Sequence, residues 1–317
     1  YEVSVDGEVD CVGQIELDES IPAHEEKTIK LPVSIPDSGK CYLKVSYCLK
    51  NNTQILHSDE SLGFDELLLK NIDGRNQKAI ELLAEMNTDN IFTVEECDRY
   101  FTIHVGQENT YRFNRLTGLF ESITVKGKEL LTRPMELNIW RAPTDNDRKI
   151  KLEWIITSEG AIQVKMDVKR DLEFPMLPRF GIRLFLNRDF DNVEYYGIGP
   201  EESYVDKRRA GSHGKYDANV LEMHEDYLRP QENGSHTDCD YLILKGKENT
   251  FAAAGERTFS FNVSPYTQEE LTAKRHSYEL QPCGSTVVCL DYVQNGIGSN
   301  SCGPELSERY RLDAEQF

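Results

Sequence analysis

The chain has 317 residues, with 36 Lys and Arg against 55 Asp and Glu for a net charge of −19, 38% apolar content and 29% charged content, enough length for two globular domains. No run approaches the roughly 20 apolar residues of a membrane-spanning helix, and the opening YEVSVDGEVD lacks the basic and apolar stretches of a signal peptide, so neither membrane insertion nor a leader is expected. An acidic excess without clustered Lys and Arg excludes nucleic acid as a partner and leaves neutral or cationic ligands.

The dominant period along the chain is two. Strands are expected near residues 1–5, 12–17, 27–33 and 41–49; in the last, Cys41, Leu43, Val45, Tyr47 and Leu49 alternate with Tyr42, Lys44, Ser46, Cys48 and Lys50, one row for a core and one for solvent. Ala79, Ile80, Leu82, Leu83 and Met86 have helical spacing. The polar stretch Asn87-Thr88-Asp89-Asn90 then marks a domain boundary near residues 86–93. Beyond it, Ile162, Val164, Met166 and Val168 alternate with polar residues, as do Phe259, Phe261 and Val263, which reads as half-buried antiparallel strands. Thr267 with Glu270 three residues on has the pattern of a capping box before Leu271. With few helices and no regular strand–helix alternation, the expected class is all-β and a (β/α)₈ barrel is excluded.

Sequence-local catalytic motifs are missing. There is no G-x-S-x-G elbow, Walker loop or H-E-x-x-H helix, and Gly197-Ile198-Gly199 fails as a dinucleotide fingerprint at its third glycine. The seven histidines have no metal-ligand spacing. Asp145-Asn146-Asp147 superficially suits a calcium loop, but the sixth position is Ile150 rather than Gly and the twelfth Ile156 rather than Glu. No metal site is expected. The eight cysteines are scattered without a C-x-x-C pair, which suits free thiols in a reducing, cytoplasmic setting.

Four segments are rich in Gly, Pro, Asn and Asp: WRAPTDND at 140–147, YYGIGPEESYVDKR at 195–208, RPQENG at 229–234 and NGIGSNSCGP at 295–304. Each alone reads as turn chemistry. In this order and spacing they resemble the C-terminal small-chain β-sandwich of the glycoside hydrolase family 2 β-galactosidases, over a span from about Cys97 to Phe317 that includes DRYFTIHVGQENTYRFNRLTGLFESI, while the preceding residues look like that family's immunoglobulin-like domain. The resemblance implies a partial immunoglobulin-like β-sandwich at 1–90, lacking its first strands, followed by a large antiparallel β-supersandwich at 91–317. It also implies a retaining hydrolase of terminal β-D-galactosides whose two catalytic glutamates lie in a barrel N-terminal to everything present here, leaving this chain without catalytic residues and inactive alone.

By the same resemblance Asn300, Ser301 and Cys302 form a rim of the sugar pocket, where some members carry a stacking Trp and others Cys; Cys302 then implies a roomier aglycone subsite, or else a small buried residue. Arg141, Asp145, Asn146 and Asp147 match the base of a mobile active-site loop, in an ordering role rather than in direct sugar contact. Glu201, Tyr204, Asp206, Arg208, Glu232 and Asn233 are expected as structural corners. The family's magnesium and sodium belong to the barrel, its partners are the N-terminal domains of the same polypeptide and a galactoside, and a homo-oligomer is compatible with it. Two departures stand out: His236 occupies the place of a usual Arg, and the several dozen residues that members carry after Asp147 are absent, which predicts a break between Trp154 and Ile155 near residues 148–156. The competing readings are a free-standing carbohydrate-binding module, which with only Trp140 and Trp154 would rest its stacking on 15 tyrosines, and an interaction subunit for a separately encoded large chain.

Overall fold

A computed structural model describes residues 1–17, 19–58, 60–71, 74–84, 92–139, 149–157, 161–169, 177–298 and 305–312. It is almost entirely antiparallel β. The N-terminal sheet has four strands, β1 (Glu2–Val5), β2 (Glu8–Val12), β3 (Lys40–Cys48) and β4 (Ser61–Asn71), in the order β2-β1-β3-β4. The strands expected at 12–17 and 27–33 are not formed. Ile15, Leu17, Ile29 and Ile35 lie at the surface, because an apolar alternation makes a strand only where a neighbouring ladder pairs its backbone. In β3 the alternation is overridden at its start: Cys41 and Leu43 are buried, but so is Tyr42 on the opposite face, since that face packs against the second half of the chain.

Helix α1 (Gln77–Ala84) follows and lays Ala79 and Leu82 on Tyr196, Tyr241 and Ile243. A five-stranded sheet comes next: β5 (Phe92–Glu96), β6 (Tyr100–Val105), β7 (Asn109–Asn114), β8 (Leu119–Val125) and β9 (Lys128–Glu129), paired in chain order. Then come β10 (Glu136–Asn138) and the hairpin β11 (Lys149–Ile156) and β12 (Ile162–Lys169). A large sheet is completed by β13 (Arg179–Asn187), β14 (Asn192–Gly199), β15 (Ser212–Asn219), β16 (Ser235–Lys245), β17 (Thr250–Ser264) and β18 (Ser285–Gln294), in the order β10-β13-β18-β17-β16-β14-β15.

The main core fills the space between this seven-stranded sheet and the five-stranded one. Phe120, Tyr111 and Leu119 meet Leu184, Leu186, Leu242 and Val288 there, and burial of these aliphatic and aromatic side chains supplies the main drive for folding. In β12 the expected period holds residue by residue, with Ile162, Val164, Met166 and Val168 turned in and Gln163, Lys165 and Asp167 out. Helix α2 (Gln268–Ala273) starts where its cap predicts: Thr267 Oγ1 accepts from the Glu270 N–H at 3.1 Å. The Glu270 carboxylate is directed to the Gln281 N–H at 2.9 Å, so only half of the capping box is used locally.

β11 pairs with β12 without interruption from Lys149↔Lys169 to Ile156↔Ile162, with Trp154 and Ile155 on the same strand. The Trp154 indole donates to the Gly118 carbonyl at 2.9 Å and stands edge-on to Phe120 at 5.1 Å. Between this hairpin and the five-stranded sheet an open apolar groove of about 390 Å³ is lined by Phe92, Val94, Phe101, Ile103, Phe113 and Trp154.

Candidate functional site

Of the residues singled out in the sequence, Arg141, Asp145, Asn146, Asp147, Asn300, Ser301 and Cys302 lie outside the described residues. The stems that carry both of those loops are described. They converge at one end of the seven-stranded sheet, where β10 ends at Asn138 and β18 ends at Gln294, on either side of β13. Register places Asn138 opposite Gly181 and Gly181 opposite Asp291. A Cβ on Gly181 would come within 2.0 Å of the Leu290 carbonyl oxygen, so only glycine permits this approach.

The centre of this junction is a buried guanidinium. Arg179, 2% exposed, directs Nε (3.2 Å) and Nη2 (2.6 Å) to Oδ2 of Asp291, and Nη1 to both oxygens of Glu232 at 3.0 and 2.9 Å. Asn138 donates to the other Asp291 oxygen at 2.7 Å and accepts from Gln268 at 3.1 Å. Gln294 donates to Glu232 at 3.3 Å and accepts from Ser235 at 2.8 Å. Burial opposes the Arg179 charge, but Asp291 and Glu232 outweigh it and hold the group protonated. Two carboxylates share this one cation, and burial pushes both of them above their ordinary range.

A second set of anchors comes from the loop after β14. Glu202 is buried and accepts from the Gly234 N–H at 2.7 Å, from the Lys207 ammonium and from the Tyr227 hydroxyl. Asp206 accepts from the N–H groups of Ile297 (3.1 Å) and Gly298 (2.8 Å), clamping the stem that leads into residues 299–304. Gly296 makes room for it, since a Cβ there would meet the Asp206 carboxyl carbon at 2.4 Å. Tyr204 is buried and bonds Lys207 through the backbone in both directions. Arg208 pairs with Asp238. Asn233 accepts from the Glu225 N–H at 3.1 Å, donates to the Gln231 carbonyl at 2.9 Å and offers its own carbonyl to Asn262 at 2.6 Å. Glu201 is exposed, and the anchoring carboxylate of that pair is its neighbour Glu202.

Sequence reading missed Glu202, Arg179 and Asp291. Nothing local separates two adjacent glutamates on a corner, but Arg179 and Asp291 did carry a signal: each is a charge set into an otherwise apolar strand, Arg179-Phe180-Gly181-Ile182 and Val287-Val288-Cys289-Leu290-Asp291.

His236 is 2% exposed. Its Nδ1 lies 3.1 Å from the Ile198 carbonyl and 3.1 Å from the Tyr195 hydroxyl, and its ring stacks on Phe261. Burial pushes it down to about 4, so it is neutral near pH 7. The unfolded chain binds this proton more readily, so the stability His236 contributes is complete above about pH 6.5 and is lost as pH falls toward 4. The expected result is that His236→Gln flattens the acid limb of the melting curve between those values. The gain relative to the parent is on the order of 3 kcal/mol at pH 4, read from denaturation at stepped pH; equal acid sensitivity in parent and variant would refute it.

The junction is a positioning device. Its buried carboxylates are engaged in holding backbone N–H groups and guanidinium, and among the described residues no three His, Cys, Asp or Glu are grouped to hold a metal ion. What the arrangement does is tie the stems of two loops to one end of the large sheet.

The model of the β-galactosidase small chain matches residues 105–155 and 148–317, and that of β-galactosidase domain 4 matches residues 1–70. A β-galactosidase of Actinobacillus pleuropneumoniae is 36% identical over 367 positions, covering 100% of this chain and 35% of that protein. Those of Staphylococcus xylosus and Kluyveromyces lactis are 30% and 27% identical, covering 95% and 92% of the chain and 34% and 33% of their own lengths. The chain thus spans about a third of the length of the curated relatives it matches. With the Actinobacillus protein, 367 aligned positions against 317 residues leave about 50 positions without a counterpart here, and the small-chain match falls in two pieces that meet at 148–155.

Proposed function

Because the chain belongs to the β-galactosidase small-chain family, we propose that it is the C-terminal, non-catalytic part of a glycoside hydrolase family 2 enzyme that cleaves terminal β-D-galactosides with retention. The bond-breaking glutamates then reside in a barrel outside this chain, and the role of this part is to shape the rim of the sugar pocket and to support domain assembly. The observation that carries this reading is the clamp of Asp206 on Ile297 and Gly298, next to the Arg179 cluster, which aims two loop stems at one end of the large sheet. A galactoside is the substrate of the whole enzyme under this reading, and Cys302 stands on its rim where a small thiol offers less stacking area than an indole. Magnesium and sodium belong to the barrel.

The test is hydrolysis of a chromogenic β-galactoside by this chain alone and after mixing with the barrel portion of a relative. No turnover alone and recovery on mixing is the expected result; turnover by the isolated chain, retained through purification, overturns it. In the complemented enzyme Cys302→Trp is expected to shift preference toward aromatic leaving groups by several-fold, about 1 kcal/mol of stacking. An unchanged leaving-group profile would remove Cys302 from the rim.

A further inference from the structure

The seam between the N-terminal sheet and the seven-stranded sheet holds an imidazole between two carboxylates. His213, on β15, is nearly enclosed, its side chain 7% exposed. Its backbone N–H donates to Glu66 Oε1 and its Nδ1 lies against Glu66 Oε2, both at 2.7 Å, across a sequence separation of 147 residues. On the opposite side its Nε2 is 3.7 Å from Asp238 Oδ2. The ring stacks on Tyr42 of β3, centroids 4.2 Å apart and planes 10° from parallel. Asp238 sits at a bulge of β16 with φ +55°, a conformation that Asp tolerates and that turns its carboxylate toward the seam.

We propose that His213 is a proton-operated pin between the two halves of the molecule: charged, it ties Glu66 of the N-terminal sheet to Asp238 of the large sheet, and loss of its proton loosens the seam. A neutral imidazole has one N–H and can serve one of these carboxylates, leaving the other facing a lone pair; the imidazolium serves both. The other charged and titratable groups around it are Lys44 of β3, whose Nζ donates to Ser212 at 3.1 Å, Arg208, which pairs with Asp238, and the Tyr42 hydroxyl. Tyr216 reaches the same edge through the Ser212 carbonyl at 2.8 Å.

The electrostatics agree with the geometry. Burial works against the His213 charge, but the Asp238 and Glu66 carboxylates on either side outweigh it and raise the group above its ordinary 6.5. Asp238, despite burial, is drawn down to about 2 by His213 and Arg208. For a group raised in the folded state, the contribution is complete below the unfolded value and disappears as pH rises through the folded one. The pin therefore holds fully below about 6.5 and releases as pH rises through the raised folded value, opposite in sign to His236.

The decisive experiment is an NMR titration of the histidine rings in the intact chain, with amide exchange of β3 and β4 followed over the same pH range and corrected for intrinsic base catalysis. His213 is expected to titrate above 6.5. Glu66→Gln and Asp238→Asn should each move it down. Opening of β3 and β4 should rise with pH by up to about tenfold per unit of that elevation, and His213→Gln should abolish the rise. A His213 that titrates at or below its ordinary value, or an exchange profile in His213→Gln that keeps the parent's pH dependence, overturns the proposal. If His213→Gln does not fold, the Glu66→Gln titration decides, and an unmoved His213 there overturns it as well.

Discussion

Arg179→Ala is expected to cost 3–5 kcal/mol, on the order of what breaking a buried ion pair costs elsewhere, and to unfold or severely destabilise the large sandwich. The reason is the charge left behind. Asp291 is 0% exposed and Glu232 faces the same guanidinium, so truncation leaves two carboxylates without a cation in a medium that solvates them poorly. Arg183→Ala provides the comparison. That guanidinium pairs with Glu136 and Glu269, whose side chains are 40% and 65% exposed, and water can replace it at a cost of about 1 kcal/mol. Urea denaturation of both variants reads the difference directly. A combined Arg179→Met, Glu232→Gln, Asp291→Asn variant should recover part of the loss, because it removes the stranded charges together with their partner. If Arg179→Ala costs no more than Arg183→Ala, the cluster does not organise the loop stems.

Lys40→Ala should be nearly as damaging, and for a reason that lies between the two halves of the chain. The Lys40 ammonium meets Asp240 at 2.9 Å with side chains 5% and 1% exposed, 200 residues apart in sequence, and it lies over the Tyr196 ring at 5.5 Å. Asp240 also accepts the N–H of Asn76 at 3.1 Å, at the start of α1. Losing the cation leaves a buried carboxylate held by a single backbone donor, a loss of about 3–5 kcal/mol. The N-terminal sheet should then exchange its amides faster than the large sheet does. The pair Lys40→Met with Asp240→Leu should return most of the stability. Exchange that rises equally in both sheets would mean that Lys40 supports the fold as a whole rather than the seam.

These two clusters show why the candidate site was only partly legible. The corners were visible as composition: Asp206, Glu232 and Asn233 stand in loops rich in Gly, Pro and Asn, and the structure finds hydrogen bonds at each. The identity of the anchoring glutamate was not visible. Glu201 and Glu202 are chemically the same, and which of them turns inward depends on how the chain leaves β14 and meets Gly234. Likewise Tyr42 was assigned to solvent because the row Cys41, Leu43, Val45 points the other way; a second sheet brings His213 onto it. The alternation at 27–33 failed for the converse reason, since it found no ladder to join.

Period two, sparse helices and the Gly–Pro–Asn corners, all properties of neighbouring residues, determined from the sequence alone that this is an antiparallel β protein, and the order of its loops determined the family it resembles. Tertiary structure decided the rest: that Arg179 is shared by Asp291 and Glu232, that Asp206 clamps the stem at Ile297 and Gly298, and that His213 and Lys40 cross the seam. The physical reason is range. Side-chain alternation and turn chemistry act over a few residues, whereas a buried charge is tolerable only where the fold delivers its counter-charge, and for Lys40 that partner is 200 residues away.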